Sequence, residues 1–144
     1  MTALSYRYPN ATRLGPAMKL VALPVAIVIA VLLDGVIAAV AHADGVTGFA
    51  PLTPGPYISL TVVGMLLATA GWALLRRLVP RSARLMRWLV PTVLTLSFVP
   101  DIALLFGDRS QTHASGGAVV ALMAMHVAVA VVTVGTLRRL LPLR

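Results

Sequence analysis

The run LVALPVAIVIAVLLDGVIAAVA, residues 20–41, decides the fold. A single charge, Asp34, interrupts an otherwise apolar stretch whose length matches the roughly 20 residues a helix needs to cross a bilayer. A helix on the surface of a soluble domain keeps a polar face, and this stretch has none. Three further runs of the same kind follow at residues 57–75, 88–106 and 116–137, each with at most one formal charge. Unpaired backbone groups are intolerable in hydrocarbon, and the alternating pattern of a membrane barrel is missing, so helices are the spanning solution. The sequence therefore predicts an all-α, polytopic membrane protein. It forms a single domain over residues 1–144, a four-transmembrane-helix bundle behind a short tail, residues 1–17.

Composition points the same way. Hydrophobic residues make up 59% of the 144 and charged residues 11%, and the mean hydropathy is +0.93. A soluble domain carries about a quarter charged residues, so a water-facing surface cannot be assembled from this set. There is no cysteine, which excludes thiol redox chemistry, thiolate metal sites and iron-sulfur clusters. A net charge of +8 would raise nucleic-acid binding for a soluble chain. Here the positions of the charges explain them, and no nucleic-acid partner is expected.

Of the 12 basic residues only Arg109 falls outside three clusters. Arg7, Arg13 and Lys19 precede the first span; Arg76, Arg77, Arg81, Arg84 and Arg87 separate the second from the third; Arg138, Arg139 and Arg144 follow the fourth. By the positive-inside rule both termini and the middle loop face the cytoplasm, placing the chain in the cytoplasmic (inner) membrane as a multi-pass protein. Trp72 and Trp88 fall at the expected inner interface, Tyr57 and Phe106 at the outer one. Pro54, Gly55 and Pro56 read as a stiff turn before the second span. Arg81, Arg84 and Arg87, three apart, suit one interfacial turn against anionic lipid headgroups.

A cleaved secretory signal ending at Ala41, His42 and Ala43 would leave only three spans. The first apolar run exceeds the usual signal core of about 7–15 residues, so four spans are preferred. Small residues four apart, Gly64 and Ala68, Gly117 and Ala121, Ala124 and Ala128, are candidates for close helix approach.

Asp34, Asp101 and His126 are the ionisable residues inside the spans. An aspartate at the centre of a spanning helix costs about 2.5–3.5 kcal/mol, so each is expected to face the bundle interior and to mark a functional position. From the helical rise, Asp34 and Asp101 sit about 5–6 Å outward of mid-span and His126 close to the midplane. Thr61 falls at a similar outer depth, and Ser97, four residues before Asp101, shares its helix face. Pro100 cannot donate to the carbonyl of Leu96 and is expected to kink the third helix at this layer. Burial disfavours the charged form of each group and mutual attraction favours it, so neutral and ionised pairs both stay open.

At the outer ends, His42, Asp44, Asp108 and His113 form a weaker set of possible metal ligands, although their spacing matches no ligand pattern. Haem between helices needs two deep histidines, and only His126 is deep. No cofactor is expected.

The run Gly71 to Leu75 closing the second span, Leu94 to Ser97 with Pro100 in the third, and His126 in a valine-rich last helix ending at Leu140, Leu141 and Pro142 resemble a family of small actinobacterial four-helix membrane proteins of unknown function. The resemblance implies topology and no activity. Small multidrug transporters share the helix count but carry a glutamate in the first helix, and this chain has none. Three classes of function remain. The first is an accessory or helix-packing component with a protein or oligomeric partner. The second is a proton-linked transporter or binder of a small or lipophilic solute using Asp34, Asp101 and His126. The third is an embedded acid-base isomerase or cyclase.

Overall fold

The computed structural model describes residues 16–107 and 114–142. The chain forms four long helices, α1 (Pro16–Ala43), α2 (Pro54–Leu78), α3 (Ser82–Ala103) and α4 (Gly116–Leu140). Short 3-10 turns lie at Ala50–Leu52 and Leu104–Phe106, and no strand occurs among the described residues. Each long helix, the third counted through Phe106, has the length and apolar character to cross a membrane. Leu32, Leu67, Leu96 and Val131 point outward, as side chains facing lipid rather than water do. The protein is a multi-pass, all-α membrane protein.

Two helix starts differ from the sequence expectation. α2 begins at Pro54, so the proline-glycine-proline segment is its first turn and not a preceding loop. Proline suits that position because the first amides of a helix have no intrahelical acceptor. α3 begins at Ser82, which places Arg84 and Arg87 on the helix rather than in a separate interfacial turn. The hydropathy pattern stops at a charge, but a helix continues past the hydrocarbon while arginine stems carry their heads to water. α3 stays helical across Pro91 and Pro100 and tightens into the 3-10 turn only after Ala103.

The tightest seam joins α1 to α4. On α1 Ala26, Ala30, Asp34 and Ala38, spaced four apart, are buried, as is Ala41 one turn on. This stripe meets Val129 and Val132 lower on α4 and, through Ala38 and Ala41, Ala118, Ala121 and Met125 nearer its start. Lipid tails are as apolar as leucine, so close backbone approach and dispersion hold such a seam, and small side chains permit that approach. Of the pairs picked from spacing alone, Gly117 and Ala121 do pack: a Cβ on Gly117 would lie 3.3 Å from Val46 Cγ2, and Ala121 is buried. Gly64, Ala68 and Ala124 are exposed.

The segment between α1 and α2 is not a loose loop. Gly45 and Gly48 take positive φ values of 90° and 71°, which only glycine adopts without strain. The turns they make fold Val46, Phe49 and Leu52 down onto Ala38, Ala41, Ala114 and Ala118. At the opposite end, which bears the arginines, Trp72 of α2 and Met86 of α3 close on Leu137 of α4. The Trp72 indole donates a 3.0 Å hydrogen bond to the carbonyl of Leu141. Trp72 is thus a buried clamp and not an interfacial anchor, whereas Trp88 is 72% exposed.

Candidate functional site

α2 and α3 are consecutive yet barely touch except near their hairpin. Both lean on α4, and between them runs a cleft of about 540 Å³. One wall is Leu60, Gly64, Ala68 and Gly71 of α2, the other Val90, Val93, Leu94 and Ser97 of α3, with Met125, Val129 and Thr133 of α4 as the floor. Leu60 and Val93 are also exposed, so the cleft opens sideways toward lipid. Trp72, Met86 and Leu137 shut its arginine end. Gly64 and Ala68, expected to seat a neighbouring helix, instead keep this space open: a Cβ on Gly64 or Gly71 would meet nothing within 4 Å.

The other end of the cleft is polar. Asp34 is 1% exposed and reaches it from α1, its Oδ2 accepting a 2.5 Å hydrogen bond from the Thr61 hydroxyl. Asp34 Oδ1 is buried and has no hydrogen-bond partner. Tyr57 borders the same end, its hydroxyl packed where a Cβ on Gly35 would be, at 3.3 Å. Ser97 and His126 complete it.

Asp101 does not line the cleft. It is buried behind His126, with Oδ2 3.2 Å from Nδ1 of that ring. Nδ1 is also 2.9 Å from the carbonyl of Leu122, one turn back on α4. A carbonyl only accepts, so Nδ1 carries a hydrogen and Nε2 is the ring nitrogen left over. That single hydrogen serves Leu122, which leaves Asp101 Oδ2 close to the ring but without a hydrogen bond. Phe98 meets the imidazole edge-on, with ring centroids 6.3 Å apart.

The residues read from the sequence thus assemble as two pairs rather than one triad. Asp34 with Thr61, and Asp101 with His126, occupy a common zone, and Ser97 bonds the carbonyl of Leu94 on its own helix at 2.7 Å. Ser97 lines the cleft, while Asp101, one turn further along α3, packs against His126. Sequence reasoning missed Tyr57 and Trp72 as cleft residues, because an aromatic near a span end reads first as an interfacial ring. It also missed Thr133, buried on the floor with its hydroxyl unpartnered. Of the possible metal ligands, Asp108 and His113 lie outside the described residues. His42 is turned onto its own helix, with Nδ1 2.6 Å from the carbonyl of Ala38. No three histidine or acidic side chains gather among the described residues.

Fold and site together define a four-helix membrane protein with a side-opening cleft and a buried acid at one end. Residues 11–142 match a family of unknown function, DUF6069, and the chain belongs to it. Comparisons with curated proteins and with solved structures gave no match.

Proposed function

We propose that the protein binds a lipophilic molecule that reaches the cleft from the bilayer through the gap between α2 and α3. One observation carries this reading: an apolar cleft of about 540 Å³, in the size range of small-molecule sites, ends at a buried carboxyl oxygen with no partner. An unpaired buried acceptor costs about 1–3 kcal/mol. A ligand that donates a hydrogen bond there removes that cost. An accessory role, in which polar residues only specify helix contacts, calls for neither the cleft nor the orphan oxygen. An embedded acid-base enzyme working through Asp101 is less well supported, because that acid is screened from the cleft by His126.

The test uses the cleft's own glycine. Gly64→Leu directs its side chain into open space, so the fold is expected to tolerate it while the cleft fills. Extraction of wild type purified in mild detergent is expected to recover a lipophile in near-stoichiometric amount, reduced at least about tenfold in Gly64→Leu, as a loss of about 1.4 kcal/mol of binding gives. Equal recovery from both, or none from wild type, would refute the reading.

The orientation belongs to the same proposal. The arginine end, with the α2–α3 hairpin at residues 79–81, is taken to face the cytoplasm of the inner membrane, where anionic headgroups meet Arg76, Arg77, Arg84 and Arg87. A compartment-sensitive reporter in that hairpin is expected to read cytoplasmic. One in the segment at residues 44–53 is expected to read exterior, and the reverse pattern would invert the assignment.

A further inference from the structure

We infer that the ligand of the cleft carries an amino head group, protonated as an ammonium, on an elongated apolar body. This rests on the reading of the cleft as a ligand site and adds the chemical class of what it takes.

The inference comes from counting hydrogens at the polar end. The Thr61 hydroxyl is donated to Asp34 Oδ2, the Ser97 hydroxyl to the carbonyl of Leu94, and Nδ1–H of His126 to the carbonyl of Leu122. For an ionised Asp34 and a neutral imidazole, what these groups have left to offer is lone pairs: on Asp34 Oδ1, on the two hydroxyl oxygens, and on Nε2. Among the described residues the one uncommitted donor here is the Tyr57 hydroxyl, which can also accept. Thr133 holds the other free hydroxyl, but it lies seven residues, or about 10 Å, further along α4 than His126. No lysine or arginine lines the cleft among the described residues. A carboxylate or phosphate head would meet acceptors and a buried acid. An alcohol supplies one hydrogen. An ammonium supplies three hydrogens and the counter-charge that a buried carboxylate requires.

The body follows from the walls. From Thr61 to Trp72 is eleven residues along α2, about 16 Å of helix, and the intervening lining is Gly64, Ala68 and Gly71 facing Val90, Val93 and Leu94. A saturated chain of the length of a dodecyl group fills that distance and stops at the Trp72 clamp.

The test is a matched series, dodecylamine, dodecanol and dodecanoate. Each is titrated at neutral pH into Trp88→Phe protein in phosphatidylcholine nanodiscs, with Trp72 emission as the readout. The same titration of protein also carrying Gly64→Leu gives the signal from partition into lipid alone. The amine is expected to bind at least about tenfold more tightly than the alcohol, the factor one charge-assisted hydrogen bond confers, with the acid weakest. Asp34→Asn, nearly isosteric, is expected to remove the preference for the amine. Alcohol or acid binding as tightly as the amine, or an amine preference that survives Asp34→Asn, would overturn the inference while leaving the cleft a ligand site. No saturable signal beyond the Gly64→Leu control for any of the three would overturn both.

Discussion

Trp72→Ala is expected to lower the unfolding free energy of the bundle by about 3 kcal/mol, and Trp88→Ala to change it by less than about 0.5 kcal/mol. The two tryptophans have the same chemistry and flank one short hairpin, so the contrast isolates environment. Trp72 is 4% exposed, wedged against Met86 and Leu137, and its indole ties α2 to the carbonyl of Leu141 beyond the end of α4. Truncation removes the dispersion contacts that hold α2 to Met86 and Leu137 at this end and leaves a carbonyl that has lost its donor. Hydration contributes little to packing within hydrocarbon, which puts the figure at the low end of the aromatic-to-alanine range. Trp72→Phe keeps most of the volume and is expected to lose about 1 kcal/mol, the share of the hydrogen bond. Titration with sodium dodecyl sulfate, followed by helical circular dichroism, measures all three. Equal losses for Trp72→Ala and Trp88→Ala would mean that the arginine end is not clamped as described.

That contrast also marks how far the sequence could be read. Span existence follows from local hydrophobic length, and four helices stand where four apolar runs are written. Depth is also legible, because a helix rises by a fixed amount per residue: counting puts Thr61 at a depth similar to Asp34, and the two are bonded. Azimuth is not legible in so apolar a chain. Where nearly every face is greasy, periodicity does not tell a lipid-facing position from a helix-facing one, so Trp72 read as an interfacial ring and Gly64 as a packing contact. The alanine stripe of α1 was hidden for the same reason, since alanines four apart recur throughout. The burial of Phe49 and Leu52 depends on two glycine turns that bring a connecting segment back over the bundle, which no local pattern announces. The cleft itself arises from two consecutive helices failing to pack, and a missing contact has no signature along the chain.

Thr61→Val is expected to destabilise the protein by about 1–3 kcal/mol, and the double variant Asp34→Leu/Thr61→Val to recover most of that loss. The sign of the recovery follows from the accounting at Asp34. One of its oxygens is already unpartnered and the other depends on the Thr61 hydroxyl. Removing that hydroxyl alone strands the whole carboxyl group in a site that is 1% exposed. Replacing both partners with apolar groups of similar shape removes the stranded group as well. Asp34→Leu alone falls between, because the freed threonine can turn back to a carbonyl of its own helix, as Thr69 does to Met65 at 2.7 Å. The cycle is expected to give a coupling at least as large as the Thr61→Val loss, about 1–3 kcal/mol, and additive losses would show that the two groups do not depend on each other. The double variant then separates stability from use. If it folds as well as wild type but no longer distinguishes dodecylamine from dodecanol, the acid is kept in the membrane for the ligand rather than for the fold. A double variant that retained the preference would move the binding group elsewhere in the cleft.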